Sequence, residues 1–273
     1  RYPILTIACG PTNSIRGASY LSRLRDAIVI DVGGTTTDLG VIQHGFPQES
    51  GVAVTIGGVR TNFRMPDVVS IGLGGGSIVR QQPDGTVTVG PDSVGYRITE
   101  EALCFGGRTC TATDIAVRLG MTELGDREKV MGLDEGFARK ALAAITTLAE
   151  DALDAMKVSA GDVDVILVGG GSIILPEKLS GARSVAKPAE GGVANAIGSA
   201  ISKVSGTCEK LVDYNQIPRE QALEQAKAEA VDLAVQAGAV RETVEIIDVE
   251  DVPLQYYPGN TCRVKIKAAG DLA

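Results

Sequence analysis

The sequence predicts an α/β fold built on buried strands that end in glycine loops. The apolar run Ala27–Ile30 passes straight into Asp31-Val32-Gly33-Gly34-Thr35-Thr36-Thr37-Asp38, and the apolar run Val165–Val168 passes straight into Gly169-Gly170-Gly171-Ser172. Neither run is interrupted by polar residues, which marks strands covered on both faces. Between them Phe137, Leu142, Ile145, Leu148, Leu153 and Met156 recur at helical spacing over Asp134–Lys157, so a helix with an apolar face separates the two strands.

The other elements follow in order. Tyr2–Ala8 reads as a strand, Gly10-Pro11-Thr12-Asn13-Ser14 as a loop, and Ala18–Arg25 as a short helix. Leu39–Gln43 is a strand turned at His44-Gly45, so the first glycine loop joins two strands of a hairpin and not a strand to a helix. Val52–Ile56 reads as a further strand. A Gly- and Arg-rich region over 57–78 leads to a hairpin, Ile78–Gln81 and Thr86–Val89 around Pro83-Asp84-Gly85. A short helix is expected near Asp114–Leu119, and a small-residue helix from Val193 to about Val204, opened by Gly191-Gly192. Pro218 starts a charged, Ala-rich helix that stops at Gly238. Val244–Val249 and Arg263–Lys267 read as strands of a sheet buried on one face. The expected organisation is an ATPase-like domain over residues 1–205 and a small α+β extension over 206–273.

Composition bounds the function. At 273 residues, 44% apolar and 22% charged, the chain can bury a sizeable core. A net charge of −8 with no Trp and no basic run argues against nucleic acid and anionic membranes as partners. Five cysteines without a Cys-x-x-Cys pair fit reduced, cytoplasmic thiols better than a disulfide framework or a structural zinc site. No signal peptide or long apolar span is present in the sequence. Because it opens at Arg1 directly into an apolar run, the sequence is expected to be a piece of a longer protein.

The first loop carries the chemistry. Gly33 and Gly34 let backbone amides approach a phosphate. Thr35, Thr36 and Thr37 add hydroxyl donors, Asp38 closes the loop, and Asp31 is placed to hold Mg²⁺ or to orient a water. No Gly-Lys dipeptide occurs anywhere, which argues against a P-loop, and the hairpin argues against a dinucleotide fold. Gly169, Gly170, Gly171 and Ser172 form a second loop suited to a nucleotide. For Gly72-Leu73-Gly74-Gly75-Gly76-Ser77 two readings stay open, close backbone packing and an anion-binding nest beside substrate. Arg60, Asn62, Arg64 and Asp67 are candidate substrate contacts, with surface ion pairs as the plain alternative. Asp114 reads as a helix N-terminal carboxylate, with a site carboxylate as the alternative, His44 as a solvated turn residue, and Cys104 and Cys110 as inert thiols.

A strand, an Asp-x-Gly-Gly-Thr loop and a return strand resemble the phosphate loop of the actin-like ATPase (ribonuclease H-like) superfamily. The later strand with Gly169–Ser172 resembles its adenosine loop. The likeness sharpens in Gly10-Pro11-Thr12-Asn13-Ser14-Ile15-Arg16-Gly17-Ala18, Gly57-Gly58-Val59-Arg60-Thr61-Asn62-Phe63-Arg64-Met65-Pro66-Asp67, Ser70–Ile78, Val89-Gly90-Pro91-Asp92-Ser93 and Thr113-Asp114. In that order they resemble the C-terminal part of the A subunit of the hydantoinase/oxoprolinase family. The resemblance implies a partial actin-like fold, ATP and Mg²⁺ as cofactors, and a small cyclic amide such as a hydantoin or 5-oxoproline as substrate. It implies activation of an amide or enol oxygen by phosphorylation, followed by attack of water or, in carboxylating relatives, of a carbon nucleophile. It also implies a first phosphate loop in a preceding N-terminal domain missing here, and a B-type partner subunit. A carboxylase subunit and a nucleotide-binding assembly module are the alternatives.

Overall fold

The computed structural model describes residues 9–48, 55–56, 59–60, 66–157, 160–255, 257 and 259–273, with the backbone alone for 55, 56, 59 and 60. The expected strand Tyr2–Ala8 and most of Val52–Ile56 lie outside the described residues. The chain divides into two compact units, Arg1–Ala200 and Ile201–Ala273.

The first unit contains α1 (Cys9–Ser22), β1 (Ala27–Val32), β2 (Thr37–Gln43), β3 (Phe46–Pro47), β4 (Thr55–Ile56), β5 (Val59–Arg60), β6 (Val68–Ile71), β7 (Ser77–Gln81) and β8 (Val87–Ser93). It continues through α2 (Ile98–Glu101), α3 (Ala112–Arg118), α4 (Glu135–Met156), β9 (Val163–Val168), β10 (Ala182–Ala186) and α5 (Ala194–Ala200). Its main sheet runs β10-β9-β1-β2-β3, with β6 beside β2 as well. β1 pairs antiparallel with β2, Asp31 opposite Asp38, and parallel with β9, Asp31 opposite Val168. β4 and β5 pair with each other, as do β7 and β8.

Pleating decides which helix each strand residue meets, because successive side chains point to opposite faces. Ile28, Ile30, Val32, Val165 and Leu167 share a core with Ala138, Ala141, Ile145, Ala149 and Leu153 of α4. Ala27, Val29, Ile166 and Val168 share the other core with Ile15 and Ala18 of α1 and Ala194 of α5. The sheet is thus sandwiched between helices, as its apolar strands require. Asp31 has the parity of Val29 and faces the α1 and α5 side.

α4 forms where its periodicity predicts. Asp134 caps it by accepting from the Phe137 amide at 2.8 Å, the usual task of a short acidic residue at that position. Leu148 is 38% exposed although its spacing marked it as core. The close face is instead a ridge of alanines, which lets the helix approach the sheet.

The segment Gly10–Ser14, expected as a loop, lies inside α1. Pro11 is tolerated there because the first turn of a helix needs no internal amide donor. α1 and α5 pack with their backbones in contact. A Cβ on Gly17 would lie 1.9 Å from the Ala194 oxygen, and one on Gly198 would lie 1.8 Å from the Asn13 oxygen.

α3 starts in a capping box made by Thr111 and Asp114. The Asp114 carboxylate is buried and accepts from the Leu103, Cys104 and Thr111 amides and the Thr111 hydroxyl, at 3.2, 2.7, 2.8 and 2.8 Å. Its role is structural, as its place at a helix start indicated. Asp114→Ala orphans these donors and is expected to cost about 3 kcal/mol, read by denaturant unfolding.

Burial and the nearby Asp114 charge push the Cys104 and Cys110 thiols up to about 12. A raised folded pKa gives stability that is whole below the unfolded value and is lost as pH rises through the folded one. Stability of the first unit is therefore expected to decline between about pH 9 and pH 12. At pH 8 iodoacetamide should label the exposed Cys9 while sparing buried Cys104, as mass spectrometry would show.

The second unit contains β11 (Val204–Asp213), α6 (Arg219–Gln236), β12 (Glu245–Pro253) and β13 (Thr261–Gly270). Its antiparallel sheet runs β11-β13-β12. Ala222, Ala226, Ala230 and Ala234 of α6 pack on Val264, Ile266 and Ala268. The helix expected to run to about Val204 stops at Ala200, and β11 follows. Gly206, Cys208 and Val212 are buried on one face of it, while Thr207, Glu209, Lys210 and Leu211 are exposed, a pattern that small and charged residues disguise. Among the described residues no helix is long and apolar enough to cross a membrane.

Candidate functional site

β1 and β9 run side by side and end together, so their two glycine loops meet at one edge of the sheet. Among the described residues, no internal acceptor takes the amides of Gly34, Thr35 or Thr36, and all three residues are exposed. Gly33 donates to the Thr36 oxygen at 2.8 Å and closes the turn. The loop is therefore a tight arch with three amides that lack an internal acceptor, a form that can receive a phosphate.

Thr37 and Asp38 are turned to other work. The Thr37 hydroxyl is buried and donates to the Leu73 oxygen at 2.7 Å. Asp38 accepts from the Ser70 hydroxyl of β6.

In the second loop Gly169 donates to the Gly191 oxygen at 2.9 Å, and Ser172 donates to the Gly169 oxygen at 3.1 Å. Gly170 is exposed, whereas Gly171 and Ser172 are buried. Gly169 has φ 87° and ψ 151°, a conformation reserved for glycine. A Cβ there would lie 2.3 Å from both Asp31 Oδ1 and the Val32 oxygen. One on Gly171 would lie 2.3 Å from the Gly33 oxygen. The two loops lie against each other, with Gly169 beside the Asp31 carboxylate and Gly171 beside the Gly33 oxygen and the Val32 side chain.

Asp31 is half-buried. Loss of water pushes its carboxyl above the ordinary range, a hydrogen bond from Ser14 opposes that, and the Asp38 charge adds to it. Among the described residues no group of three His, Cys, Asp or Glu side chains could hold a metal. Asp31 and Asp38 fit a site of another kind. Mg²⁺ is commonly held by one or two carboxylates, phosphate oxygens and water.

Gly74, Gly75 and Gly76 also come to this edge, and their amides are all engaged. They donate to Ser77 Oγ at 2.8 Å, the Gly33 oxygen at 3.0 Å and the Gly34 oxygen at 2.7 Å. The Gly75 oxygen in turn accepts from the Thr113 hydroxyl at 2.9 Å. The segment braces the first loop.

Asp67 is not brought to the loops. It precedes Ile71, the residue opposite Thr37, by four positions, about 13 Å of extended chain. Its backbone amide donates to the Gln48 oxygen at 2.9 Å, and its side chain is exposed. Arg60 ends β5, but its side chain, like Asn62 and Arg64, lies outside the described residues.

The sequence reading overlooked three residues at this edge. Ser14 and Asn195 form a polar contact behind Asp31. Lys187 donates to the Ser172 oxygen at 3.2 Å. Reading Ser14, Gly17 and Ala18 as one helical face would have exposed Ser14. Nothing in the sequence pairs it with a residue 181 positions away.

The family model described as hydantoinase/oxoprolinase matches residues 1–167. The acetophenone carboxylase gamma subunit of Aromatoleum aromaticum is 30% identical over 141 residues, which are 49% of this chain and 19% of that subunit. Among solved structures, the ATP-dependent caprolactamase of Pseudomonas jessenii superposes with a TM-score of 0.70 at 17% identity, over 95% of this chain and 49% of that one. A nucleotide-free acetone carboxylase superposes with a TM-score of 0.64 at 16% identity, over 96% and 49%. The chain thus spans about half the length of these solved relatives, and less of the curated one. By the match of the family model over residues 1–167, more than half of its length, the chain belongs to the hydantoinase/oxoprolinase family.

Proposed function

We propose that this chain forms half of an ATP- and Mg²⁺-dependent site that opens cyclic amides of the hydantoin or 5-oxoproline type, as the C-terminal part of an A subunit. The observation that carries the proposal is Asp31 held between two touching glycine loops, the first with three uncommitted amides. ATP use draws support from the caprolactamase, which is ATP-dependent, and from the acetone carboxylase, whose carboxylation is ATP-dependent.

In this reading the Gly34, Thr35 and Thr36 amides and the Thr35 and Thr36 hydroxyls bind phosphate oxygens. Gly169–Ser172 borders the nucleoside. Asp31 holds the ion or orients a water, with Asp38 adjacent. Mg²⁺ bound there would offset phosphate charge and polarise the transferring group as a Lewis acid.

The other half of the cleft, with its own phosphate loop, and a B-type subunit are assigned to parts beyond these residues. Five free thiols fit a reducing, cytoplasmic setting. The similarity to an acetophenone carboxylase subunit favours a second reading, ATP-dependent carboxylation of a ketone. Phosphate release by the complete enzyme with its partner subunit separates the two. Stimulation by hydantoin or 5-oxoproline without bicarbonate supports the hydrolase. A strict bicarbonate requirement with a ketone points to the carboxylase. Release that no substrate stimulates, equal in wild type and Asp31→Asn, rules out both.

A further inference from the structure

We infer that Thr113, the second residue of α3, is a positioning residue of the first glycine loop, acting on the open Thr35 amide through a head-to-tail chain of peptide groups. Its meaning for binding rests on the nucleotide-site reading above. The chain itself does not.

A trans peptide group is planar, and its C=O and N–H point in opposite directions. Whatever anchors the carbonyl therefore also aims the amide. The Gly75 oxygen accepts from the Thr113 amide at 3.0 Å and from the Thr113 hydroxyl at 2.9 Å. The amide of that same peptide group, on Gly76, donates to the Gly34 oxygen at 2.7 Å. The next peptide group carries the Gly34 oxygen at one end and the Thr35 amide at the other, and that amide has no acceptor among the described residues. Each link accepts on one side and donates on the other, so the bonds polarise one another toward Thr35. The Ser93 hydroxyl adds a longer bond to the Gly34 oxygen, at 3.4 Å.

A second chain runs beside the first. The Ser77 amide donates to the Gly74 oxygen at 3.0 Å, and the Gly75 amide donates to the Gly33 oxygen at 3.0 Å. By the same geometry it aims the Gly34 amide. Backbone groups alone make this second chain, whereas the first starts at a side chain. The two approach the loop closely: a Cβ on Gly74 would lie 2.6 Å from the Thr35 nitrogen, and one on Gly76 would lie 2.9 Å from the Gly34 oxygen. Thr113 is 1% exposed, so its effect on a bound phosphate must pass through the Gly75–Gly76 and Gly34–Thr35 peptide groups.

Two measurements test the inference. Thr113→Val removes the hydroxyl and keeps the shape and the backbone amide. In the ligand-free complete protein, isotopically labelled at glycine and threonine nitrogen, nuclear magnetic resonance should show the Gly76 and Thr35 amide protons moving upfield. The Gly34 amide proton, served by the second chain, should hold its position. Thr113→Ser, which keeps the hydroxyl, should restore both shifts. A shift that stops at Gly76, or one that Gly34 shares equally, overturns the chain. In calorimetry, Thr113→Val should bind Mg-ATP about threefold to tenfold more weakly than wild type. Adenosine, which carries no phosphate, should bind the variant as it binds wild type. Unchanged Mg-ATP affinity overturns the positioning role, and so does an equal loss for adenosine, which marks a general loosening. Should Thr113→Val not fold, Ser93→Ala decides: an upfield Thr35 amide with weaker Mg-ATP binding supports the inference, and the absence of either overturns it. If wild-type protein binds no Mg-ATP, the nucleotide-site reading fails, while the amide shifts still decide whether the chain exists.

Discussion

Replacing Asp31 by Asn is expected to weaken Mg-ATP binding by the complete protein about 10- to 100-fold while raising the melting temperature. The loss follows from removing the charge that lies between the loops, since contacts to charged groups contribute roughly 1.5–3 kcal/mol. The gain in stability follows from the same burial. Asp31 loses water on folding and sits opposite Asp38, so its folded pKa is raised. A group shifted in that direction stabilises fully only below its unfolded pKa, and that contribution is lost as pH rises through the folded value. At neutral pH the ionised carboxylate therefore opposes folding, in part offset by Ser14. Asn removes the charge and should add about 2–4 °C to Tm. Calorimetry and thermal unfolding on the same two samples check both signs. A variant that loses stability and keeps its affinity would show that Asp31 is a structural carboxylate.

Gly169→Ala is expected to have the largest effect on the fold near the site. Its conformation is one that only glycine adopts at low cost, and a Cβ would press on Asp31 Oδ1 and the Val32 oxygen at 2.3 Å each. Both obstacles belong to the β1 end, so the second loop must be pushed off the first. A loss of about 3 kcal/mol or more is expected, with a fall in Tm of roughly 6–12 °C. Gly170→Ala is the control, because a Cβ there meets nothing within 4 Å. It should leave stability within about 0.5 kcal/mol of wild type. If the two variants melt alike, the loops do not bear on each other as described.

Much of this site was legible in the residues. An unbroken apolar strand can only be buried on both faces, and a glycine pair at its end marks backbone brought against something. β1, the hairpin to β2, α4 and β9 follow from those rules. β11 did not stand out, because its buried positions include Gly206, which has no side chain, and its run of Glu209 and Lys210 breaks the apolar alternation. The Gly10–Ser14 stretch looked like a loop because glycine, proline, asparagine and serine favour turns locally. Packing of α1 on β2 and α5 outweighed that preference, and small residues were what the packing needed.

By itself, then, the sequence determined that two strands would be buried, that each would end in a glycine loop, and that Asp31 would stand at the mouth of the first. These are local consequences of hydrophobic run length and backbone freedom. Only the tertiary structure decided which donors remain open and which are spent. It turned Thr37 inward to Leu73, engaged the amides of Gly74–Gly76 in bracing the first loop, and left those of Gly34–Thr36 without an acceptor among the described residues. It also brought Asn195 to Ser14. The physical reason is that hydrogen bonds are short-ranged and directional. Whether a group is free for a ligand depends on partners far away in sequence, and the parallel pairing of β1 with β9 and the crossing of α1 with α5 chose them.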